Sequence, residues 1–123
     1  MESGFDFATG VPCGVLKHII KKLKEDRRVR HVSVNRESEA VGVAAGAYLA
    51  GKKPLVYMQN SGLFAASNDI ASLLIPYKIP VFFVISFRGC RGEDAVQHLV
   101  TGGATKTLIR SFHLSFEIFE KDG

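Results

Sequence analysis

Cysteine is scarce in this chain, with only Cys13 and Cys90 among 123 residues. That supply excludes a disulfide framework and fits a reduced, cytoplasmic protein. Long apolar runs are missing too. The longest near-apolar stretch, Ala40 to Ala50, is eleven residues, short of the about 20 that cross a bilayer, so no membrane association is expected. The opening MESGFDFATG lacks the basic segment and apolar core of a secretory signal. No linker, internal repeat or low-complexity tract divides the chain, so residues 1–123 are expected to form a single domain.

Several chemical signatures are also absent. There is no GxGxxG after a strand and no GxxxxGK[ST], which removes support for dinucleotide and phosphate-loop binding. The hydrolase elbow GxSxG is missing. Four histidines, at 18, 31, 98 and 113, show no metal-ligand spacing with the two cysteines, so no metal site is expected from this chain's own residues.

The chain is 46% hydrophobic and 23% charged, the balance of a compact globule, with a formal charge of +4. The positive charge gathers between Lys17 and Arg30. At 100° per residue Lys17, Lys21, Lys24 and Arg28 share one stripe, and Leu16, Ile19, Ile20 and Leu23 another. This describes an amphipathic helix, roughly Gly14 to Asp26, whose basic face is either solvated or turned to an anion or acidic partner. No helix-turn-helix, zinc-ligand spacing or aromatic-basic surface accompanies it, so nucleic acid is not an expected partner.

Strand and helix patterns alternate along the rest of the chain. Phe5 to Ala8, His31 to Val34, Leu55 to Met58 and Ile79 to Ser86 read as strands. The helix Ser38 to Gly51 carries Gly42 and Gly46 four apart, a spacing that permits close packing and predicts a sandwiched helix. A third helix is expected over Leu63 to Ile75 and a last one near Ala104 to Ser111. The alternation of Phe112, Leu114, Phe116 and Ile118 with polar residues predicts a final half-exposed strand. Four strand-helix repeats imply an α/β fold: a doubly wound parallel sheet of about five strands with helices on both faces.

Ligands collect at the carboxyl ends of such strands. That rim is made of Gly10 to Gly14, Asn35 to Glu37, Gln59 to Gly62 and Phe87 to His98. Singled out from it are the Glu37 carboxylate, the amide-rich Gln59 to Gly62 turn, His98, and Arg88 with Arg91. Glu37 is followed by Ala40, Val41 and an apolar helix; desolvation there would raise a carboxyl pKa toward the range useful for proton exchange. A Glu at a helix start also simply favours the positive helix end, and both readings stand on the residues alone.

Glu37-Ser38-Glu39-Ala40-Val41, followed by Ala44-x-Gly46, resembles the pyrimidine-domain motif of thiamine-diphosphate enzymes. Within that superfamily the chain is similar to the sulfopyruvate and phosphonopyruvate decarboxylases. The resemblance rests on Gly10-Val11-Pro12, on Gly46 to Gly51, on Met58-Gln59-Asn60-Ser61-Gly62-Leu63, on Tyr77-Lys78-Ile79-Pro80 and on Arg88-Gly89. It covers most of residues 8–105, and the MQNSGL string is its most specific part.

The resemblance implies that Glu37 hydrogen-bonds the pyrimidine ring nitrogen of thiamine diphosphate and favours the imino tautomer that deprotonates the thiazolium carbon. It implies that Gln59, Asn60, Ser61 and Gly62 border the aminopyrimidine, and that His98 relays a proton. The substrate implied is a small 2-oxo acid. Cys13 stands where sulfopyruvate decarboxylases resemble Val11-Pro12-Cys13 and phosphonopyruvate decarboxylases carry Val-Pro-Asp. Arg88 and Arg91 would meet the anionic groups, because guanidinium suits forked oxyanions. Gly62-Leu63-Phe64-Ala65 departs from the family's Gly-Leu-Gly-Asn, which changes the local width of the site.

The superfamily holds the diphosphate through magnesium (Mg2+) in a second domain marked by Gly-Asp-Gly and a later Asn, neither of which this sequence shows. The resemblance therefore implies a separate β subunit, a hetero-oligomer and a site between subunits. The family's α chains run somewhat longer, the difference being expected at the C-terminal end. A phosphonopyruvate decarboxylase subunit, and a non-catalytic scaffold or small-anion binding domain of the same fold, remain the alternatives.

Overall fold

The computed structural model describes residues 4–89 and 95–119. Strand β1 (Phe7–Gly10) leads through a short 3-10 turn (Gly14–Leu16) into helix α1 (Lys17–Glu25) and strand β2 (Arg30–Ser33). Helix α2 (Glu37–Leu49), strand β3 (Pro54–Gln59), and the short helices α3 (Asn60–Ala65) and α4 (Ser67–Asp69) follow. A π turn (Ile70–Leu74), strand β4 (Phe82–Ser86) and helix α5 (Val96–Ser111) complete the described structure.

All strand pairings are parallel, in the order β2-β1-β3-β4. The chain steps from β1 outward to β2, then crosses back over β1 to lay β3 on the other side. Strand order therefore reverses between β1 and β3, whose carboxyl ends open a crevice. The registers Gly10↔Tyr57 and Gln59↔Ser86 bring the ends of β1, β3 and β4 to one rim.

Helices cover both faces. On one, Leu16, Ile20 and Leu23 from the α1 side pack with Ala8, Leu55 and Tyr57. On the other, Ala40, Val41, Ala44 and Ala45 of α2 join Val56, Met58, Leu63, Ile70 and Leu74, with Leu108 and Ile109 of α5 against them. Successive β3 residues thus serve opposite cores, which is why that strand reads as a continuous apolar run.

Four local expectations are corrected. Four described strands form the sheet, because residues 112–119 make a turn and then a segment that pairs with no strand. Their period-2 pattern suits an extended backbone, but a strand needs a neighbour's free edge. Phe112 instead packs on the helix-covered core and Phe116 lies beneath Arg110, 5.6 Å from its ring centroid.

Gly42 and Gly46 are exposed, and added Cβ atoms there would meet nothing within 4 Å, so α2 buries its alanine face and not its glycines. Ile19 of the expected apolar stripe is 43% exposed. The third helix starts at Asn60, not Leu63, and breaks near Ala66 before the π turn, whose i→i+5 pattern shows in Ile75 N–H donating to the Ile70 carbonyl at 3.1 Å.

Candidate active site

A cleft of about 320 Å3 lies at the strand-order reversal. Each strand's carboxyl end contributes: Val11 to Gly14 after β1, Glu37 after β2, Gln59 and Ser61 after β3, Arg88 after β4. Five of the residues expected from the sequence, Cys13, Glu37, Gln59, Ser61 and Arg88, therefore line one cavity.

Glu37 opens α2, where it and Glu39 occupy the first turn and complement the positive helix end. Its side chain is half-buried and lies against Gly62 in the first turns of α3. A Cβ at Gly62 would stand 2.7 Å from the Glu37 Cδ and 2.8 Å from Oε1, so only glycine leaves this carboxylate its place. Gln59 donates from Nε2 to Ser61 Oγ at 2.7 Å, which fixes both polar side chains at the floor of the cleft.

Cys13 caps the start of the 3-10 turn with extended backbone, and its Sγ is 3.3 Å from Oγ of Ser86. Ser86 is buried at the end of β4. Sequence reasoning passed over it, although a hydroxyl closing the apolar run IPVFFVIS at the ligand-bearing rim was a readable signal.

Asn60 departs from its expected place at the cofactor. Its side chain is fully buried and turned into the protein: Nδ2 donates to the Arg88 carbonyl and to Thr105 Oγ1, both at 2.9 Å, and Oδ1 accepts from the Arg88 N–H at 2.9 Å. Thr105, in the middle of α5, had no signal in the sequence.

His98 is not among the residues lining the cleft. It sits in the first turn of α5 behind Gly89, and a Cβ on Gly89 would fall 2.7 Å from the His98 carbonyl carbon. Arg91 lies outside the described residues.

A second, wider groove of about 470 Å3 runs along the exposed side of α1, lined by Lys17, Ile20, Lys21 and Lys24. It shares Pro12, Cys13 and Gly14 with the cleft. Among the described residues, only Lys21 of the three lysines has a carboxylate within reach, Glu25 at 3.9 Å.

Away from the rim, His31 Nε2 and the Tyr57 hydroxyl share a hydrogen bond of 2.7 Å. Burial and then the nearby Lys24 hold His31 below its usual pKa, and burial pushes the Tyr57 phenol up.

The sequence matches the family described as thiamine pyrophosphate enzyme, N-terminal TPP binding domain, over residues 1–104. The chain belongs to the thiamine pyrophosphate enzymes. It is similar to sulfopyruvate decarboxylase subunit alpha of Methanococcus maripaludis, 41% identical over 116 residues that make up 94% of this chain and 70% of that one. The same subunit of Methanocaldococcus jannaschii is 47% identical over 82% of this chain and 60% of its own length. Phosphonopyruvate decarboxylase of Streptomyces hygroscopicus is 40% identical over 85% of this chain but only 26% of that protein.

As a thiamine pyrophosphate enzyme domain, the chain carries a cleft on the strand ends where such folds bind ligands, with a carboxylate on one wall and a guanidinium-bearing residue on another. Among the described residues no group of three or more His, Cys, Asp or Glu is arranged to hold a metal ion, and no helix is long and apolar enough to cross a membrane.

Proposed function

We propose that the chain is the α subunit of a thiamine-diphosphate-dependent 2-oxo acid decarboxylase that converts sulfopyruvate to sulfoacetaldehyde and carbon dioxide, in a hetero-oligomer with a β subunit that holds the diphosphate through Mg2+. The observation that carries this reading is the convergence of Cys13, Glu37, Gln59, Ser61 and Arg88 on one cleft.

The residues fit the pyrimidine end of the cofactor. Gly62 packs its bare Cα against the Glu37 side chain and so leaves the carboxylate in place on the cleft wall, where a side chain at position 62 would displace it. Glu37 would hold the ring nitrogen, and Gln59 with Ser61 would orient the ring's amino substituent. Bound thiamine diphosphate supplies an electron sink for the bond pair released when carbon dioxide leaves a 2-oxo acid.

The chain's own contribution is to bind, orient and exclude water. The Glu37 carboxyl oxygen would be the group that holds the proton shared with the ring nitrogen. Val11 and Pro12 line the cleft with apolar surface, and lower polarity strengthens a charge-assisted hydrogen bond at that carboxylate. Arg88 would take a forked oxyanion of the substrate through paired N–H donors. Cys13 lines the same cleft with its Sγ 3.3 Å from Ser86 Oγ, and no second cationic side chain among the described residues lines it beside Arg88, which suits a singly charged sulfonate. Phosphonopyruvate is the second reading, favoured by the 40% identity to the Streptomyces decarboxylase; its more highly charged phosphonate would call for a further cation.

The test is to assemble the chain with its β subunit, thiamine diphosphate and Mg2+, and to follow carbon dioxide from each acid. Release from sulfopyruvate with loss of turnover in Glu37→Gln, assembly intact, supports the reading; full activity of Glu37→Gln rejects it.

A further inference from the structure

We propose that Asn60 and Thr105 are positioning residues for Arg88, so that substrate affinity is governed from the middle of α5; this rests on the reading of Arg88 as the substrate's arginine. β4 ends at Ser86, and Arg88 sits two residues beyond. There the backbone has left the sheet ladder, and Asn60 replaces the missing neighbour. Its amide takes both backbone groups of Arg88, accepting from the N–H and donating to the carbonyl, each at 2.9 Å. This is the pairing a strand residue would give, made by a side chain.

Asn60 cannot turn over to serve elsewhere. Its other Nδ2 proton goes to Thr105 Oγ1 at 2.9 Å, and the Thr105 hydroxyl is in turn committed as a donor to the Thr101 carbonyl. A flipped amide would set oxygen against the Arg88 carbonyl and nitrogen against the Arg88 N–H. Thr105 is 1% exposed and Asn60 0%, so water does not substitute for either bond.

The chain of contacts continues at the next residue. Gly89 has φ +79°, and a Cβ on Gly102, one helical turn before Thr105, would stand 2.5 Å from its Cα. Arg88 is thus fixed from two sides, by Asn60 through hydrogen bonds and by α5 through backbone contact after it. The amide whose neighbours Gln59 and Ser61 line the cleft is a brace and does not face the ligand.

The experiment uses the assembled α and β subunits with thiamine diphosphate and Mg2+. Thr105→Val keeps the branched shape and removes the acceptor, leaving a buried Asn60 proton without a partner. The expected result is KM for sulfopyruvate raised about tenfold, the equivalent of one net hydrogen bond, with kcat and thiamine diphosphate affinity within about twofold. Thr105→Ser restores KM. Independently of turnover, hydrogen exchange at the Arg88 amide accelerates about tenfold in Thr105→Val, by the same hydrogen-bond arithmetic.

Unchanged KM and unchanged Arg88 exchange in Thr105→Val overturn the brace. Parallel losses in kcat, cofactor affinity and KM, without rescue by Ser, also overturn it and mark a purely structural site. Arg88→Ala separates the levels: if it leaves KM unchanged, the substrate role of Arg88 fails and the proposal falls with it. If it raises KM while Thr105→Val does not, the brace alone fails.

Discussion

The Glu37 carboxyl group rests on the bare Cα of Gly62, where an added methyl carbon would come 2.8 Å from Oε1. Two elements that follow different strands, α2 after β2 and α3 after β3, therefore define the working position of one acid. The glycine is required by proximity and not by an unusual φ, since its backbone is helical.

Gly62→Ala is accordingly expected to displace Glu37 while leaving the sheet intact. A misplacement of about 1 Å at a reacting group can cost on the order of 10²-fold in rate. We expect turnover of the assembled enzyme to fall by about that factor, with circular dichroism unchanged. Wild-type turnover in Gly62→Ala would separate Glu37's position from catalysis.

The rim was legible in the sequence because each of its residues follows an apolar run, and apolar runs mark strands. Cys13, Glu37, Gln59, Ser61 and Arg88 could be placed on one edge without knowing the fold's details. Asn60 was misplaced for a reason of composition: Gln-Asn-Ser-Gly reads as a loop, whereas Asn60 and Ser61 begin a helix and the Asn amide finds its partners 28 and 45 positions away. Pairings at that range leave no local trace. The exposed Gly42 and Gly46 show the converse, a local pattern whose packing partner is not among the described residues. Phe112 to Phe119 alternates like a strand, but pairing depends on a neighbour that periodicity does not report.

The His31–Tyr57 pair gives stability a pH dependence. Burial lowers the folded-state pKa of His31 below its ordinary 6.5, so the unfolded chain binds the proton more readily. The contribution is therefore present above about pH 6.5 and is lost as pH falls through the lowered folded value. We expect the urea midpoint to drop between about pH 7.5 and 5.5, and His31→Gln to flatten that drop. An equally steep slope in the variant would assign the pH dependence to other groups.

Core packing sets a second stability expectation. Met58 is fully buried between α2 and the helices after β3. Met58→Ala removes the contacts that hold these layers together and leaves a cavity, at a cost of about 2–5 kcal/mol. Chemical denaturation of wild type and variant measures it. A loss below about 1 kcal/mol would show that the layer can collapse around the missing side chain.

The lysine groove on α1 opens into the same residues, Pro12 to Gly14, that wall the cleft. Lys17 and Lys24 face it without a carboxylate in reach among the described residues, so their field extends over the approach to the site. Net positive charge along the approach to a cleft concentrates anionic ligands there, and added salt screens the effect over about 10 Å at 0.1 M. If the substrate is a small dianion, kcat/KM should decline several-fold as ionic strength rises from about 0.02 to 0.3 M, while kcat stays level. Replacing Lys17, Lys21 and Lys24 together by Gln should lower kcat/KM at low salt toward the high-salt value and leave little further dependence. A triple variant that keeps the full salt slope would place the steering charge on the partner subunit, and the groove would then be an ordinary solvated helix face.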